Sequence, residues 1–460
     1  MDATSRFVEM FVGTDYNDIP HEAIESAKRE VLDTLGVAVA GSSQPGITEL
    51  YQVIKEWGGA KQSTVIAYGS KVPAPNAAQV NAAMAHALDY DDDHGAAVVH
   101  TGVIVVPSCF AMSERIGNVN GKRYITAIAL GSDLLARLGL ATRPGTSLLE
   151  AGWHFTSLYG FLGAAAVSGK LLNLDQDRLT NALGIAYHQC AGNTQCVIDG
   201  ALTKRMGPGF AVRGGITAAL MAERGITGAR DCLEGVVGLY NLYHWGNYSP
   251  SILMADLGKK FEGTNITIKP YPCCTSTHAF IDAALELVNE HDIKPEDVQE
   301  ITVIAGSGSY ALCVPLETKS NPRNAVDTQF SVPWAVATAI ARRRVSMEDF
   351  TEAAVGSDDI LKISSRIRTE LDTSLTRSGN EPGLVKIVSK EAKAYAKRVD
   401  NARGSPENAF TFDQCVRKFR DCVACSARTI PSANIEEVIE LIARIEKVDD
   451  VSRIIGLLCS

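Results

Sequence analysis

The sequence predicts a mostly α-helical protein in two parts, a large helical domain and a smaller α+β domain, and three observations carry that reading. A chain of 460 residues is longer than one ordinary hydrophobic core accommodates. Apolar residues recur at three- and four-residue spacing through most of the first 262 positions, interleaved with alanine and glycine. The texture then shifts near residue 263 to β-branched alternation, and returns to helical periodicity after residue 400. The resulting boundaries are a first helical part over 1–262, an α+β domain over 263–400, and C-terminal helices over 401–460 that return to the helical domain.

Residues 17–42 read as a helix, with Pro20 able to occupy its first turn and Gly41 able to end it. A second helix is expected over 45–58. The stretch STVIAYGS reads as a short β-type excursion before Pro73 and Pro75 force an extended connection. From Asn76 onward helix follows helix: AAQVNAAMAHALDY, VVPSCFAMSERIG, YITAIALGSDLLARLG and residues 152–171. Small residues on every face of these segments predict close backbone approach rather than leucine seams. Beyond 262, EGTNITIKPYPCC and VQEITVIAGSGSY read as strand-like, with the helix HAFIDAALELVNEHD between them. Residues 384–398 alternate like a strand, although their lysines and alanines also permit a helix. WAVATAIARR and 346–371 read as helical.

Composition narrows the function. An apolar share of 46% and a charged share of 21% are those of an ordinary soluble globular protein. A net charge of −9 argues against a nucleic-acid or anionic-membrane surface. The first twenty residues lack a basic stretch followed by an apolar one, and no apolar run reaches membrane-spanning length, so a cytoplasmic protein is expected. Eleven scattered cysteines then read as buried thiols rather than disulfides.

One stretch concentrates chemistry. Residues 81–103 carry His86, His94 and His100, together with Asp89, Asp91, Asp92 and Asp93. Two readings stand: a solvated acidic turn after a helix, or charges that are paired and put to use. Calcium is excluded, because counting an EF-hand loop from Asp89 puts His94 at the sixth position and His100 at the twelfth. There is no HExxH, and Cys422-x-x-Cys425 has no second pair at finger-like spacing, so zinc is not expected; a magnesium or transition-metal site using Asp and His stays open, and no metal ligand is assigned. GSGS at 306–309 and GNVNGK at 117–122 both fall short of a phosphate-binding loop, and no GxSxG occurs.

Cations suited to an anionic ligand lie elsewhere. Lys204 and Arg205 sit in ALTKRMGPGFAVRGG, where glycines let backbone approach a ligand. Lys269 precedes Pro270-Tyr271-Pro272-Cys273-Cys274 and the hydroxyl run that leads to His278. His154 opens an otherwise apolar helix. Each alone is most simply a surface charge or a core histidine. Together they make a set of Asp, His, Lys and hydroxyl groups suited to a small carboxylate, with Lys and Ser/Thr holding anions and His and Asp moving protons.

Successive blocks of the chain resemble the MmgE/PrpD family: AHALDYDDDHGAAVVHTG, GWHFTSLYGFLGAAAVSGKLLNLD, NALGIAYHQCAG, TKRMGPGFAVRGG and KPYPCCTSTHAFIDAA. With AIESAKREVLDTLGVAVAGS and RGSPENAFTFDQCVRKFRDC, the resemblance covers nearly the whole chain. It implies a helical domain built from both chain ends, an inserted α+β lid, a homodimer and chemistry without a required cofactor. Carried over by position, the catalytic set is Asp89, His100, His154 and Lys204, and the substrate-binding set is Asp93, Lys269, Cys274 and His278. The chain departs from the family where Asp93 replaces a frequent threonine, where His-Pro-Gly reads His100-Thr101-Gly102, and where Cys273-Cys274 replaces a histidine of the decarboxylase branch. A lid tyrosine of that branch has no assigned counterpart, although Tyr310 lies near.

The implied reaction makes or breaks a bond beside a carboxylate. Lys204 and Lys269 would bind substrate carboxylates, His154 or His100 would act as base or acid, and Asp89 would orient a histidine. Dehydration of a 2-methylcitrate-like acid leads. Decarboxylation of cis-aconitate and epimerisation of an iminodisuccinate-type acid are the enzymatic alternatives; a polycarboxylate-binding protein without turnover and a metal-dependent hydrolase are the others.

Overall fold

The structure, a computed structural model, describes residues 2–142 and 152–459, and the chain divides into two units. The first comprises Met1–Cys196, Leu202–Ile268 and Thr411–Ser460; the second comprises Val197–Ala201 and Lys269–Phe410.

Helices of the first unit begin where the sequence supplies a cap. α1 (Ala3–Gly13) follows Asp2, whose side chain accepts the Ser5 N–H. Proline precedes α2 (His21–Gly41), α3 (Ile47–Trp57) starts after a left-handed Gly46, and α4 (Ala74–Ala85) starts after Pro73. The expected extended passage through Pro75 is therefore the first turn of α4, where a missing N–H costs nothing. The β-type excursion is a minimal pair, β1 (Ser63–Thr64) with β2 (Lys71–Val72). α5 (Gly102–Ile116), α6 (Gly121–Leu140), α7 (Phe155–Leu171), α8 (Gln176–Tyr187) and α9 (Thr203–Glu223) follow.

Small residues let these helices meet backbone to backbone. α9 packs on α7, α4 and α8. A Cβ at Gly215 would fall 2.5 Å from both the Ala164 side chain and the Phe161 carbonyl oxygen, so the α7–α9 contact needs glycine there.

In the second unit, α10 (His278–Glu290) leads to β3 (Val298–Ala305); α11 (Val332–Arg342) and α12 (Asp358–Ser364) come next. β4 (Ile367–Leu371), β5 (Gly383–Ser389) and β6 (Ala394–Val399) complete a sheet of order β4-β3-β5-β6. β4 runs parallel to β3, with Ile301 opposite Ile367, and the other pairs are antiparallel. Ile301, Val303, Val385 and Ile387 are buried with Phe280, Leu287, Trp334 and Ile340 of α10 and α11.

Three local expectations need correction. Residues 346–371 do not stay helical: their last five form β4, an edge strand whose Arg368 and Glu370 are exposed. Residues 384–398 are two strands of a hairpin, and their helical alternative fails. EGTNITIK forms no strand, since Thr267 makes only an isolated bridge to Asp93. β-branched alternation needs a neighbouring strand to become sheet, and this segment has one residue's worth.

α13 (Phe412–Val423), α14 (Ser432–Ala443) and α15 (Ser452–Leu457) return to the first unit, with α13 packed on α2. No disulfide links cysteines among the described residues. No helix among the described residues is long and apolar enough to cross a membrane.

The first unit also buries a polar chain. Tyr159 OH lies 2.8 Å from Thr142 Oγ1 and 2.9 Å from His244 Nε2. Burial pulls His244 down to about 4. An unfolded histidine titrates near 6.5, so the folded state binds fewer protons between those values and stability is lost as pH falls through the window. A His244→Phe variant should therefore lose on the order of 2 kcal/mol less stability than the parent between pH 7 and pH 4.5, read by denaturant titration. Equal losses would clear His244 of this role.

Candidate active site

α4 ends at Ala85, and His86 occupies its C-cap. The chain then turns through Asp89, whose φ of 52° is the left-handed conformation that Asp tolerates better than most residues. Asp93 and Thr267 exchange backbone hydrogen bonds of 3.0 and 2.7 Å, and His94 N–H donates to the Val99 carbonyl at 2.9 Å. These pin the loop that carries His100 to the start of α5.

The four aspartates are not a solvated turn. Asp89, Asp91, Asp92 and Asp93 are 3, 0, 0 and 7% exposed. Burying carboxylates costs several kcal/mol unless each is compensated, and they are compensated separately. Asp89 forms an ion pair with Lys204, in the first turn of α9. Asp92 accepts the Thr101 N–H at 3.1 Å and the Gly102 N–H at 3.0 Å, at the N-terminus of α5. A side chain at position 102 would fall 2.3 Å from both Asp92 Oδ1 and Thr34 Oγ1, which is why the loop ends in glycine.

Asp91 faces the histidines. Its Oδ2 lies 2.8 Å from His86 Nδ1 and 3.0 Å from His100 Nδ1. His100 Nδ1 is also 2.7 Å from the Asp92 carbonyl oxygen, and its backbone N–H donates to Thr156 Oγ1 at 3.0 Å. With acceptors on that side, Nδ1 carries the proton and Nε2 is the basic atom. Burial opposes the Asp91 charge, but the two imidazoles beside it outweigh burial and hold its carboxyl well below the usual range.

His154 caps α7, with its Nδ1 2.7 Å from Ser157 Oγ. The His86 ring lies 4.8 Å from that of His100 and 5.6 Å from that of His154, centre to centre. Burial pulls His86 down to about 4, helped by the Lys204 and His100 charges and opposed by Asp91. Burial, then His86 and Lys204, pull His154 well below the ordinary imidazole range. Both are neutral bases at neutral pH.

His86, Asp91 and His100 are also the set of described residues whose donor atoms lie close enough together to suit a metal ion, within 4.8 Å. Both imidazoles direct Nδ1 to the same carboxylate oxygen at hydrogen-bond distance, so in this structure the three form a hydrogen-bonded His-Asp-His triad.

Of the expected catalytic residues, Asp89, His100, His154 and Lys204 all belong to the first unit, as does Asp93. Lys269, Cys274 and His278 belong to the second. Lys269 is buried, and His278 opens α10 with Nε2 3.1 Å from the Cys273 carbonyl oxygen and its ring edge-on to Tyr271. Arg205 donates to the Pro45 carbonyl at 3.1 Å, a structural role. Sequence reasoning passed over Asp91 and His86 as working groups. Their five-residue separation across a helix end was the only available signal.

The model of the MmgE/PrpD N-terminal domain matches residues 5–250, and that of the MmgE/PrpD C-terminal domain matches residues 271–444. A cis-aconitate decarboxylase of Aspergillus terreus is 26% identical over 463 residues, covering 96% of this chain and 93% of its own length. The human cis-aconitate decarboxylase is 24% identical, covering 99% and 94%, and that of Mus musculus is 23% identical, covering 99% and 93%. With both domain models matched in order along the chain, the protein belongs to the MmgE/PrpD family.

Proposed function

We propose that the protein is a cofactor-independent lyase that removes carbon dioxide from a small unsaturated polycarboxylate of the cis-aconitate type. The observation that carries this reading is a buried cation, Lys204, in a unit with two neutral histidines and a third whose Nδ1 is fixed by Asp91. The full-length relatives named for that activity support the substrate class.

In such a reaction the C–C bond to one carboxylate breaks, carbon dioxide leaves without the bonding electrons, and the pair moves through the adjacent double bond. The far carbon then takes a proton. Lys204 would exchange its contact with Asp89 for a substrate carboxylate and stabilise the charge that spreads onto it. Lys269 is proposed as a second anion clamp on the family's pattern. His100 would exchange the proton through Nε2, with the Asp91 carboxylate behind the ring stabilising the cation formed. His154, neutral and held by Ser157, would serve as the second base. Loss of water from a 2-methylcitrate-like acid draws on the same groups, so the outcome depends on how the substrate sits.

Proton NMR of chelator-treated protein in D₂O, with cis-aconitate, citrate, 2-methylcitrate and iminodisuccinate offered separately, tests this. The expected result is consumption of cis-aconitate with deuterium entering the decarboxylated product. Loss of water from 2-methylcitrate, or α-carbon exchange in iminodisuccinate, would replace the reading with dehydration or epimerisation. Activity that chelation abolishes and a divalent metal restores would replace it with metal chemistry.

A further inference from the structure

Glu30, midway along α2, is 1% exposed and 71 residues from the loop it touches. Its Oε1 lies 2.6 Å from Thr101 Oγ1, and that same oxygen lies 2.9 Å from Asp92 Oδ2. Ser132 Oγ stands 2.8 Å from both Glu30 oxygens.

A hydroxyl has one proton, so Thr101 cannot donate to two carboxylates at once. If both acids were ionised, one contact would set lone pair against lone pair and two anions would share one dry pocket. The surroundings decide which acid holds the proton. Asp92 collects the Thr101 and Gly102 N–H groups at the N-terminus of a fifteen-residue helix, a site built for an anion. Among the described residues Glu30 meets only hydroxyls, those of Thr101 and Ser132. The titratable groups that face the pair add no cation on Glu30's side. Asp33 faces both acids and is itself paired with Lys418 at 2.6 Å, Cys109 and Tyr124 face Glu30, and Asp91 and His100 face Asp92.

We propose that Glu30 is a protonated carboxylic acid at neutral pH that donates to Thr101 Oγ1, which donates in turn to the Asp92 carboxylate, and that this relay is a positioning device for His100. Thr101 follows His100 directly, and the Asp92 carbonyl oxygen accepts from His100 Nδ1, so both ends of the imidazole's setting depend on it. Burial, reinforced by the Asp92 charge, pushes Glu30 well above the usual carboxyl range, a direction that agrees with the assignment. The positioning half of the inference rests on the lyase reading; the proton on Glu30 does not.

Infrared difference spectroscopy of the full-length protein in D₂O at pH 7, parent against Glu30→Gln, separates the two. A protonated-carboxyl carbonyl band present in the parent and absent from Glu30→Gln is the expected result, whatever the substrate. Its absence from the parent overturns the proposal. In turnover, Glu30→Ala should lower kcat on the order of 10²-fold through loss of alignment. Glu30→Gln, which keeps a neutral donor of similar shape, should restore most of it. Glu30→Gln no better than Glu30→Ala would end the positioning role. The stability of Glu30→Gln relative to the parent should also grow from pH 5 to pH 8, since only the parent must keep a proton there that its unfolded chain has released. A difference independent of pH would contradict the proton.

Discussion

Asp91→Asn is expected to lower kcat by roughly 10²–10⁴-fold, the range seen when an orienting carboxylate is made neutral behind a catalytic histidine. The carboxylate accepts from two imidazoles through one oxygen, 2.8 and 3.0 Å away. An asparagine has one acceptor and one donor in its place. Where the amide NH₂ meets Nδ1, the imidazole must move its proton to Nε2, and the basic atom turns away from the substrate side. The test is kcat and KM for Asp91→Asn, His100→Ala and the double variant. If the two residues act as a unit, the double variant falls no further than His100→Ala alone. Two independent, multiplying losses would mean that Asp91 acts otherwise than through His100.

Lys204→Met is expected to reduce kcat/KM by about 10³-fold or more, as loss of a preorganised charge at a developing anion does. It should also destabilise the helical unit by about 3–5 kcal/mol, because Asp89 is 3% exposed and would lose the buried cation that faces it. The two effects separate in Lys204→Met/Asp89→Asn. Neutralising Asp89 as well should recover most of the thermal stability and none of the turnover. A double variant that regained activity along with stability would show that the lysine serves only to fold the loop.

Much of this was legible in the chain, for identifiable reasons. α7 and the position of His154 at its start follow from a helical run of glycine, alanine and aromatic residues that has few other ways to pack. The α10 helix and β3 follow from clean periodicity. β4 was not legible, because IRTEL alternates charge with apolar character and its strand identity comes from β3 alongside it. Among four aspartates in five positions, composition cannot tell which one pairs with a lysine 115 residues later, which caps a helix and which turns to the histidines. Backbone direction after the left-handed Asp89 decides that. Glu30 reads in sequence as one more acid in the α2 segment ESAKREVL. Only the packing of α2 beneath the His100 loop gives it a different character.

Lys418, on α13, donates to the carbonyl oxygen of Tyr90 at 2.7 Å, lies 3.9 Å over the Tyr90 ring and pairs with Asp33 of α2. The residue it grips sits between Asp89 and Asp91, yet the two are 328 positions apart in the chain. On a ribosome adding about 5–20 residues per second, that interval is roughly 15–65 seconds. Throughout it, the acid-rich loop has been made and this one of its fastenings has not. The nascent helical unit must shelter a half-fastened cluster of carboxylates until α13 is made. A chain that stops short of α13 would lack the cation on Tyr90 and Asp33.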